Sequence, residues 1–548
     1  MASHVLEFHA KRFPGPENVD TTLGWIARTN RHESTERRPV IVNTRGTRRR
    51  FLALTGVATT GTLGGCLDGL RRDRGEAAFS ARLEERVPDL LDRYEIPGAS
   101  LALIEDGEVV WTGAYGESRP EEGRAMTTDT LCRPQSITKS VTAWGVMTLV
   151  EAGAINLDDP IGRHVTSWEL PESEYSWDAV TVRRVLSHSA GLPAGGYDNV
   201  SPGDELPSIY ETLDGEAGGP VARPVGEPGT FRYSNPGYVL LELLIEDVTG
   251  EDYAKYMRDA VLDPLGMDDA TFDWSDRVES ALITEHFVDG EPVPQYRESV
   301  RAHGMLYATA ADVARFVAVA TPGPDGEEPG RGILDPESVE ELHTPIVETA
   351  GFYALGSDGA GLGHFVETLG DGERAVTHGG QGTGSWSWFH AVPETGDGIV
   401  LLTNSERSLQ FIGDVVGEWA DSREFSSVGV SSAVRWSRVP IWTLWVVAAW
   451  LGYRLVRGLY GGTREFAPTS PRSRVSRAVV GGVGLLLLGA WWGVARSILE
   501  HFVPVYTEWL GVVVSVVAVL LLVTAMVPRT ADDGVTESSD SGWLSTDE

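Results

Sequence analysis

Three apolar runs, residues 439–456, 478–495 and 509–527, dictate what the end of this chain can become. Each is rich in Val, Leu, Gly and Trp and long enough to cross a bilayer as a helix. One such run could be a buried core helix, but three in succession read as membrane spans. Arg454 stands near the end of the first, where a long side chain can snorkel toward the interface. The loop between the first two runs holds Arg454, Arg457, Arg464, Arg472, Arg474 and Arg477 against one Glu465, and the next holds Arg496 against Glu500 and Glu508. The positive-inside rule puts the first loop in the cytoplasm and everything before Val439 outside. No charges pair in the centres of the runs, so they read as an anchor and not as a transport path. The acidic segment 528–548 then falls inside, with a composition that predicts disorder.

The other end of the chain reads as an address. Thr47-Arg48-Arg49-Arg50-Phe51-Leu52, the weakly apolar stretch 53–62 and Leu63-Gly64-Gly65-Cys66 have the layout of a twin-arginine signal closed by a lipobox. Such a signal exports folded protein and leaves Cys66 lipidated as the first mature residue. The polar extension 1–46 is long for a leader and reads as lying upstream of the true start. Export agrees with the orientation drawn from the apolar runs, and the two inferences use different residues. The expected division is therefore an extension 1–46, a signal 47–66, a soluble domain 67–425, a linker 426–438, three spans within 439–527 and the tail 528–548.

The soluble part opens with Phe79, Leu83, Val87 and Leu90 at helical spacing, with Pro88 able to bend the turn. Two apolar runs, 98–105 and 108–115, joined at Asp106-Gly107, predict a hairpin. Helices are expected at 180–187, 238–249, 253–262 and 310–318, strands at 375–378, 385–392 and 399–403, and a closing helix at 409–419. Strands at both ends of a helical middle predict one shared sheet, with the site where helical cap meets sheet.

Arg133-Pro134-Gln135-Ser136-Ile137-Thr138-Lys139-Ser140 carries the strongest chemical signal. Positions three apart share a helix face, so the Ser136 hydroxyl and the Lys139 amine can meet at a helix N-terminus, beside backbone N–H groups that have no intrahelical partner. A nucleophile there has a base beside it and a donor for an oxyanion beneath it. The plainer alternative is a capped helix with a surface lysine. Against it, the chain has only three lysines, Lys11, Lys139 and Lys255, and nearly every other cation is arginine. Further on, Tyr233-Ser234-Asn235 precedes a helix, and a tyrosine and an asparagine two apart can serve as proton relay and substrate-amide anchor if both tips point one way. An asparagine cap with a packed tyrosine is the alternative. Val376-Thr377-His378-Gly379-Gly380-Gln381-Gly382 stands at the end of a strand, where glycines let a substrate approach the backbone of an edge strand and pair with it; a histidine beside glycine can equally be a turn residue.

Taken in this order, Ser136-x-x-Lys139, Tyr233-x-Asn235 and His378-x-Gly380 resemble the serine β-lactamase and penicillin-binding-protein-like hydrolases, in the class C-related branch that includes esterases and D-peptidases. Leu157-Asp158-Asp159-Pro160, Leu186-Ser187-His188-Ser189-Ala190-Gly191-Leu192-Pro193 and the stretch from Gly304 to Val313 fit the same resemblance, which covers about residues 79–422. It implies an α/β fold with an antiparallel sheet flanked by helices and a helical subdomain, followed here by three transmembrane helices. It further implies that Ser136 is acylated, that Lys139 and Tyr233 share the proton traffic, and that Asn235, His378 and Gly380 contact substrate. Backbone N–H groups of Ser136 and Gln381 would form the oxyanion hole. His378 stands where penicillin-directed members often carry the lysine of Lys-Thr-Gly, and imidazole is the weaker carboxylate anchor. His188 matches a family turn and reads as structural.

No metal or cofactor is implied. Cys66 and Cys132 suffice for neither a disulfide framework nor a zinc site. A net charge of -34 argues against nucleic acid as a partner. It suits a surface solvated in concentrated salt, where repulsion is screened, and a loss of folding cooperativity on dialysis into dilute buffer is its expected signature. The expected partners are the membrane and a small-molecule or peptide ester or amide. A D-amino-acid peptidase or carboxypeptidase, a β-lactamase, and a binding module without turnover are the alternatives.

Overall fold

The computed structural model describes residues 63–527 except 371, 427, 465–470, 497, 498 and 500–503. The extension 1–46, the twin-arginine stretch up to Thr62 and the tail 528–548 lie outside the described residues. A helix runs Leu63–Tyr94, so the expected processing point at Cys66 falls in its first turn. Pro88 is exposed on that helix while Val87 and Leu90 are buried, which lets the apolar stripe continue past it.

The sheet has nine antiparallel strands in the order β3-β2-β1-β9-β8-β7-β6-β5-β4. They are β1 (Gly98–Glu105), β2 (Glu108–Arg119), β3 (Arg124–Ala125), β4 (Val347–Glu348), β5 (Gly359–Ala360), β6 (Phe365–Thr368), β7 (Arg374–Gly382), β8 (Ser385–Val392) and β9 (Asp397–Thr403). Asp106 and Gly107, both at positive φ, make the tight turn between β1 and β2 that right-twisted strands favour. The two ends of the domain join where β1 pairs with β9, Leu101 opposite Leu401.

Alternation along β1 divides the interior. Ala99, Leu101 and Leu103 pack with Phe79, Leu83 and Phe411 from the helices Leu63–Tyr94 and Leu409–Ser422. Ala102 and Ile104 face the other way, into the cluster of Val141, Trp144 and Phe316. Every residue of β1 is buried, as a strand between two helical layers requires. The helix Thr138–Glu151 lies in the second layer with the helical middle of the chain around it.

The strands β4 to β6 carry no period that a sequence could display, two of them being two residues long. The strand expected at 375–378 runs on through the glycines to Gly382, paired with β8 from Val376–Ala391 to Gly382–Ser385. The helix expected from 238 begins at Asn235, because Ser234 accepts the Gly237 N–H and Pro236 suits the first turn. Ser234, and not Asn235, is therefore its cap.

Among the described residues, three helices are long and apolar enough to cross a membrane: Gly429–Tyr460, Arg474–Ala495 and Tyr506–Met526. Only 11, 11 and 22% of their apolar windows are buried, so most of that surface needs an apolar solvent from outside the chain. The first starts ten residues before the apolar run, so most of the expected linker is helix. Its opening turns are packed against the domain: Val430 and Val434 join the same cluster as Phe411 and Trp419. Gly413 permits the approach, since a Cβ there would lie 2.5 Å from Val434. The Glu367 carboxylate accepts the Gly429 N–H at 2.6 Å, and Arg438 reaches both Asp414 (2.7 Å) and the Tyr506 hydroxyl (2.7 Å).

Candidate active site

A 3-10 turn, Gln135–Ile137, leads into the helix Thr138–Glu151 and holds Ser136, half-buried, at the helix entrance. Lys139 is fully buried, and its Nζ lies 3.2 Å from Ser136 Oγ and donates to the His303 carbonyl at 2.6 Å. A surface lysine is thereby ruled out. The Tyr233 and Tyr238 rings stand 5.0 and 5.5 Å from the amine. Loss of water holds its proton affinity well below the usual lysine range, against which the Glu298 carboxylate acts. The shift favours a neutral amine that can take a proton from the serine.

Tyr233 also hydrogen-bonds Ser136. Its ring is packed between His188, 4.2 Å away, and Tyr353, 4.9 Å away. Burial, with Tyr353 adding to it, pushes the phenol well above its usual value, and the bond to Ser136 opposes that shift. Tyr233 therefore stays protonated and is suited to donate. His188 holds the loop, accepting the Ser234 N–H at 3.2 Å through Nδ1, and burial followed by the nearness of Lys139 keeps it neutral. This is a positioning contact, as expected of His188.

Asn235 Nδ2 donates to the Gly195 carbonyl at 2.9 Å, and its Oδ1 is buried without a partner among the described residues. One of its two amide hydrogens is thus engaged by the cap loop. The same loop reaches the sheet, where Asn199 donates to Thr383 at 3.2 Å. His378 is buried on β7 against Phe365, and desolvation, then Lys139, lowers its pKa to about 3. Its Nδ1 donates to the Gly379 carbonyl at 2.8 Å, so the ring is a neutral imidazole and offers no cation.

Pairing of β7 with β6 ends at Thr377, and from His378 onward that edge faces the nucleophile turn. Gly380 and Gly382 press against Pro134 and Gln135, which brings the Gln381 backbone alongside the Ser136 turn. A Cβ on Gly380 would overlap the Pro134 carbonyl oxygen and the Ser387 hydroxyl that donates to it. Gly380→Ala is therefore expected to push the turn off β7 and lower kcat roughly a hundredfold, as small misplacements at reacting centres do. Steady-state turnover at matched folded fraction measures this, and a change under threefold would mean that the contact is slack.

Sequence reasoning gave no role to Gln135, Ser385, Glu285, Arg133 or Tyr296. Gln135, directly before Ser136, has φ 53°, a region costly for a side-chain-bearing residue. Its amide Nε2 is tied at 2.9 Å to Ser385 and at 3.3 Å to Glu285. Glu285 in turn pairs with the fully buried Arg133, whose guanidinium also donates to the Tyr296 carbonyl at 2.7 Å and lies 4.0 Å above the Tyr296 ring. This buried network holds the strained turn. Glu285→Ala leaves a buried guanidinium unpaired, and the expected loss is about 3–5 kcal/mol of stability in urea unfolding. A loss below about 1 kcal/mol would mean that the turn is held elsewhere.

Residues 83–414 match the model of the Beta-lactamase family. A penicillin-binding protein 4 of Amycolatopsis lactamdurans is 27% identical over 346 residues, which are 62% of this chain and 88% of that protein. An unguisins hydrolase of Aspergillus campestris is 26% identical over 359 residues, 60% of this chain and 62% of that one. Among solved structures, the octameric penicillin-binding protein homologue from Pyrococcus abyssi superposes with a TM-score of 0.53 at 28% identity, covering 62% of this chain and 77% of that chain.

Proposed function

The chain belongs to the beta-lactamase family, and from that premise we propose that it is a membrane-anchored, outward-facing serine hydrolase that cleaves an ester or amide through an acyl-enzyme on Ser136. One observation carries the reading: a hydroxyl, a desolvated amine and a protonated phenol meet at Ser136, with the lysine 3.2 Å from the serine oxygen. Lys139 takes the Ser136 proton as Oγ bonds to the substrate carbonyl carbon. The oxyanion so formed lies toward the backbone N–H groups of Ser136 and Gln381. On collapse of the tetrahedral species the bond to the leaving alcohol or amine breaks, and Tyr233 supplies that group's proton. Tyr233 regains its proton from Lys139, and a water then hydrolyses the ester on Ser136 by the reverse path.

Substrate would lie along β7 by His378 and Gly380, with the Gly195–Asn235 tie as one wall. The neutral His378 disfavours a substrate held by its carboxylate, and so favours an ester or an uncharged amide over a penicillin or a free D-alanyl terminus. The relatives are named for penicillin binding and for hydrolysis of unguisins, so likeness alone does not choose among substrates. The three apolar helices and the arginine-rich loop between the first two support the anchored, outward reading of the domain 67–425.

The test is labelling by a fluorophosphonate probe, followed by comparison of p-nitrophenyl acetate, nitrocefin and a D-alanyl peptide. The expected order puts the acetate first. Labelling that persists in Ser136→Ala would overturn the assignment of the nucleophile, and faster nitrocefin turnover would turn the reading toward a β-lactamase.

A further inference from the structure

The mechanism gives no role to one buried carboxylate behind Lys139. Lys139 donates to the His303 main-chain carbonyl at 2.6 Å, and the ring of the same histidine brings its Nε2 to 2.8 Å from Glu298 Oε2. The two side chains are only 7 and 10% exposed, and neither of these two atoms has a hydrogen-bond partner among the described residues. The pair therefore approaches off the line of a hydrogen bond, and what Glu298 offers is its charge. The Tyr197 ring lies 5.5 Å from the His303 ring, and its hydroxyl is likewise buried without a partner among the described residues.

A plain reading is that Glu298 only pins the segment 298–306 to the helix Thr138–Glu151. That segment is already pinned without it. Glu242 accepts the Arg301 and Ala302 N–H groups at 2.6 and 2.8 Å, and the Arg301 guanidinium is engaged by Glu242, Glu246 and Asp252, each at 3.0 Å. Thr142 donates to the Ala302 carbonyl at 2.9 Å, and Thr138 accepts the Leu306 N–H at 3.3 Å. A carboxylate is costly to bury unless a positive charge answers it. With Arg301 engaged elsewhere, the cation across His303 is Lys139 once it holds a proton. Burial lowers the proton affinity of that amine, and Glu298 partly restores it. An amine stripped of water and facing no negative charge would be a poor base for the Ser136 proton.

We propose that Glu298 is a positioning residue of the hydrolase, acting across His303 to keep the Lys139 amine basic enough to draw the proton from Ser136. The inference rests on the reading of Lys139 as the base. Besides Ser136 and His303, the amine faces the rings of Tyr233 and Tyr238 and the imidazoles of His188 and His378. Glu298 faces Tyr197, Tyr296 and Tyr307 as well as the His303 ring. Burial raises these five phenols and lowers the His188 and His378 imidazoles. The charge of Glu298 therefore bears on the amine and on the His303 ring, and the test separates these two.

The test follows kcat/KM for p-nitrophenyl acetate against pH in the full-length chain. Without the carboxylate the protonated amine loses its counter-charge, so Glu298→Gln is expected to move the acid limb to lower pH by roughly one pH unit. Its plateau kcat should fall about tenfold with little change in KM, because a weaker base draws the proton less readily. Glu298→Asp keeps the charge and should return most of the limb. Glu298→Met, similar in shape with no polar group to bury, carries the same expectation as Glu298→Gln should the latter not fold. Glu246→Gln, which removes a carboxylate from the Arg301 clamp, should leave the limb in place. His303→Ala keeps the main-chain carbonyl that holds Lys139 and should keep an acid limb. If the wild type shows no acid limb, the reading of Lys139 as base fails and this inference falls with it. If the wild-type limb is present, three results would each overturn this inference alone: a limb unmoved in Glu298→Gln or Glu298→Met, one moved equally in Glu246→Gln, or one abolished in His303→Ala.

Discussion

Ser136→Ala is expected to lower turnover of a p-nitrophenyl ester by roughly 10⁴–10⁶-fold, the range seen when a hydrolase loses its nucleophile. The fold should survive the change. Ser136 is half-buried at the helix entrance, and its loss removes one oxygen while the burial of Val141, Trp144 and Met147 is untouched. Lys139 keeps its bond to the His303 carbonyl, so the amine is not left without a partner. Single-turnover rates on protein that melts like wild type measure the effect. Activity within tenfold of wild type would remove Ser136 from the mechanism and leave only a hydrolase fold.

Lys139→Arg is expected to cost a comparable factor, about 10³ or more, for a different reason: a guanidinium is charged at every working pH and cannot accept the serine proton. The wild-type pH profile should carry the same information. Burial lowers the proton affinity of the Lys139 amine, so kcat/KM should fall as pH drops through that lowered pKa, because the protonated amine cannot act as base. Stability follows the same sign. Between the folded pKa and the ordinary lysine value near 10.4, the unfolded chain binds a proton that the native chain does not, so this group makes stability rise with pH across that window. His378 adds no competing limb near neutrality, since its pKa is lowered to about 3. A profile that is flat on the acid side, or an arginine variant with near-normal rates, would assign the base elsewhere.

What the sequence displayed and what it hid separate along a physical line. The hairpin at Asp106-Gly107, the strands β8 and β9 and the long helices announce themselves because their periods and turn residues are local. Ser136 and Lys139 were legible together because one helical turn joins them. Tyr233 needed the family pattern, for its distance from Ser136 along the chain is closed only by tertiary packing. The Arg133–Glu285 pair had no signal, since 152 residues separate the partners and neither lies in a repeated motif. The positive φ of Gln135 is imposed by that network and has no trace in residue type. Asn235 was placed near the site by its motif, but the tie to Gly195 depends on the course of a loop that composition does not fix. The strand at Gly379 to Gly382 went against glycine's own preference, which the seven paired residues of β8 override.

The opening turns of the first long apolar helix are packed on the hydrolase domain. Val430 and Val434 lodge against the helix Leu409–Ser422, and Arg438 clasps Asp414 and Tyr506 just beyond. An enzyme on a floppy tether sweeps a hemisphere and meets substrates at many heights. On the proposed reading of these helices as membrane spans, an anchor whose opening turns are packed on the domain would keep the cleft at a single latitude over the bilayer. Its reach is then set by geometry as much as by chemistry, and any tilt of the bundle tips the catalytic opening with it.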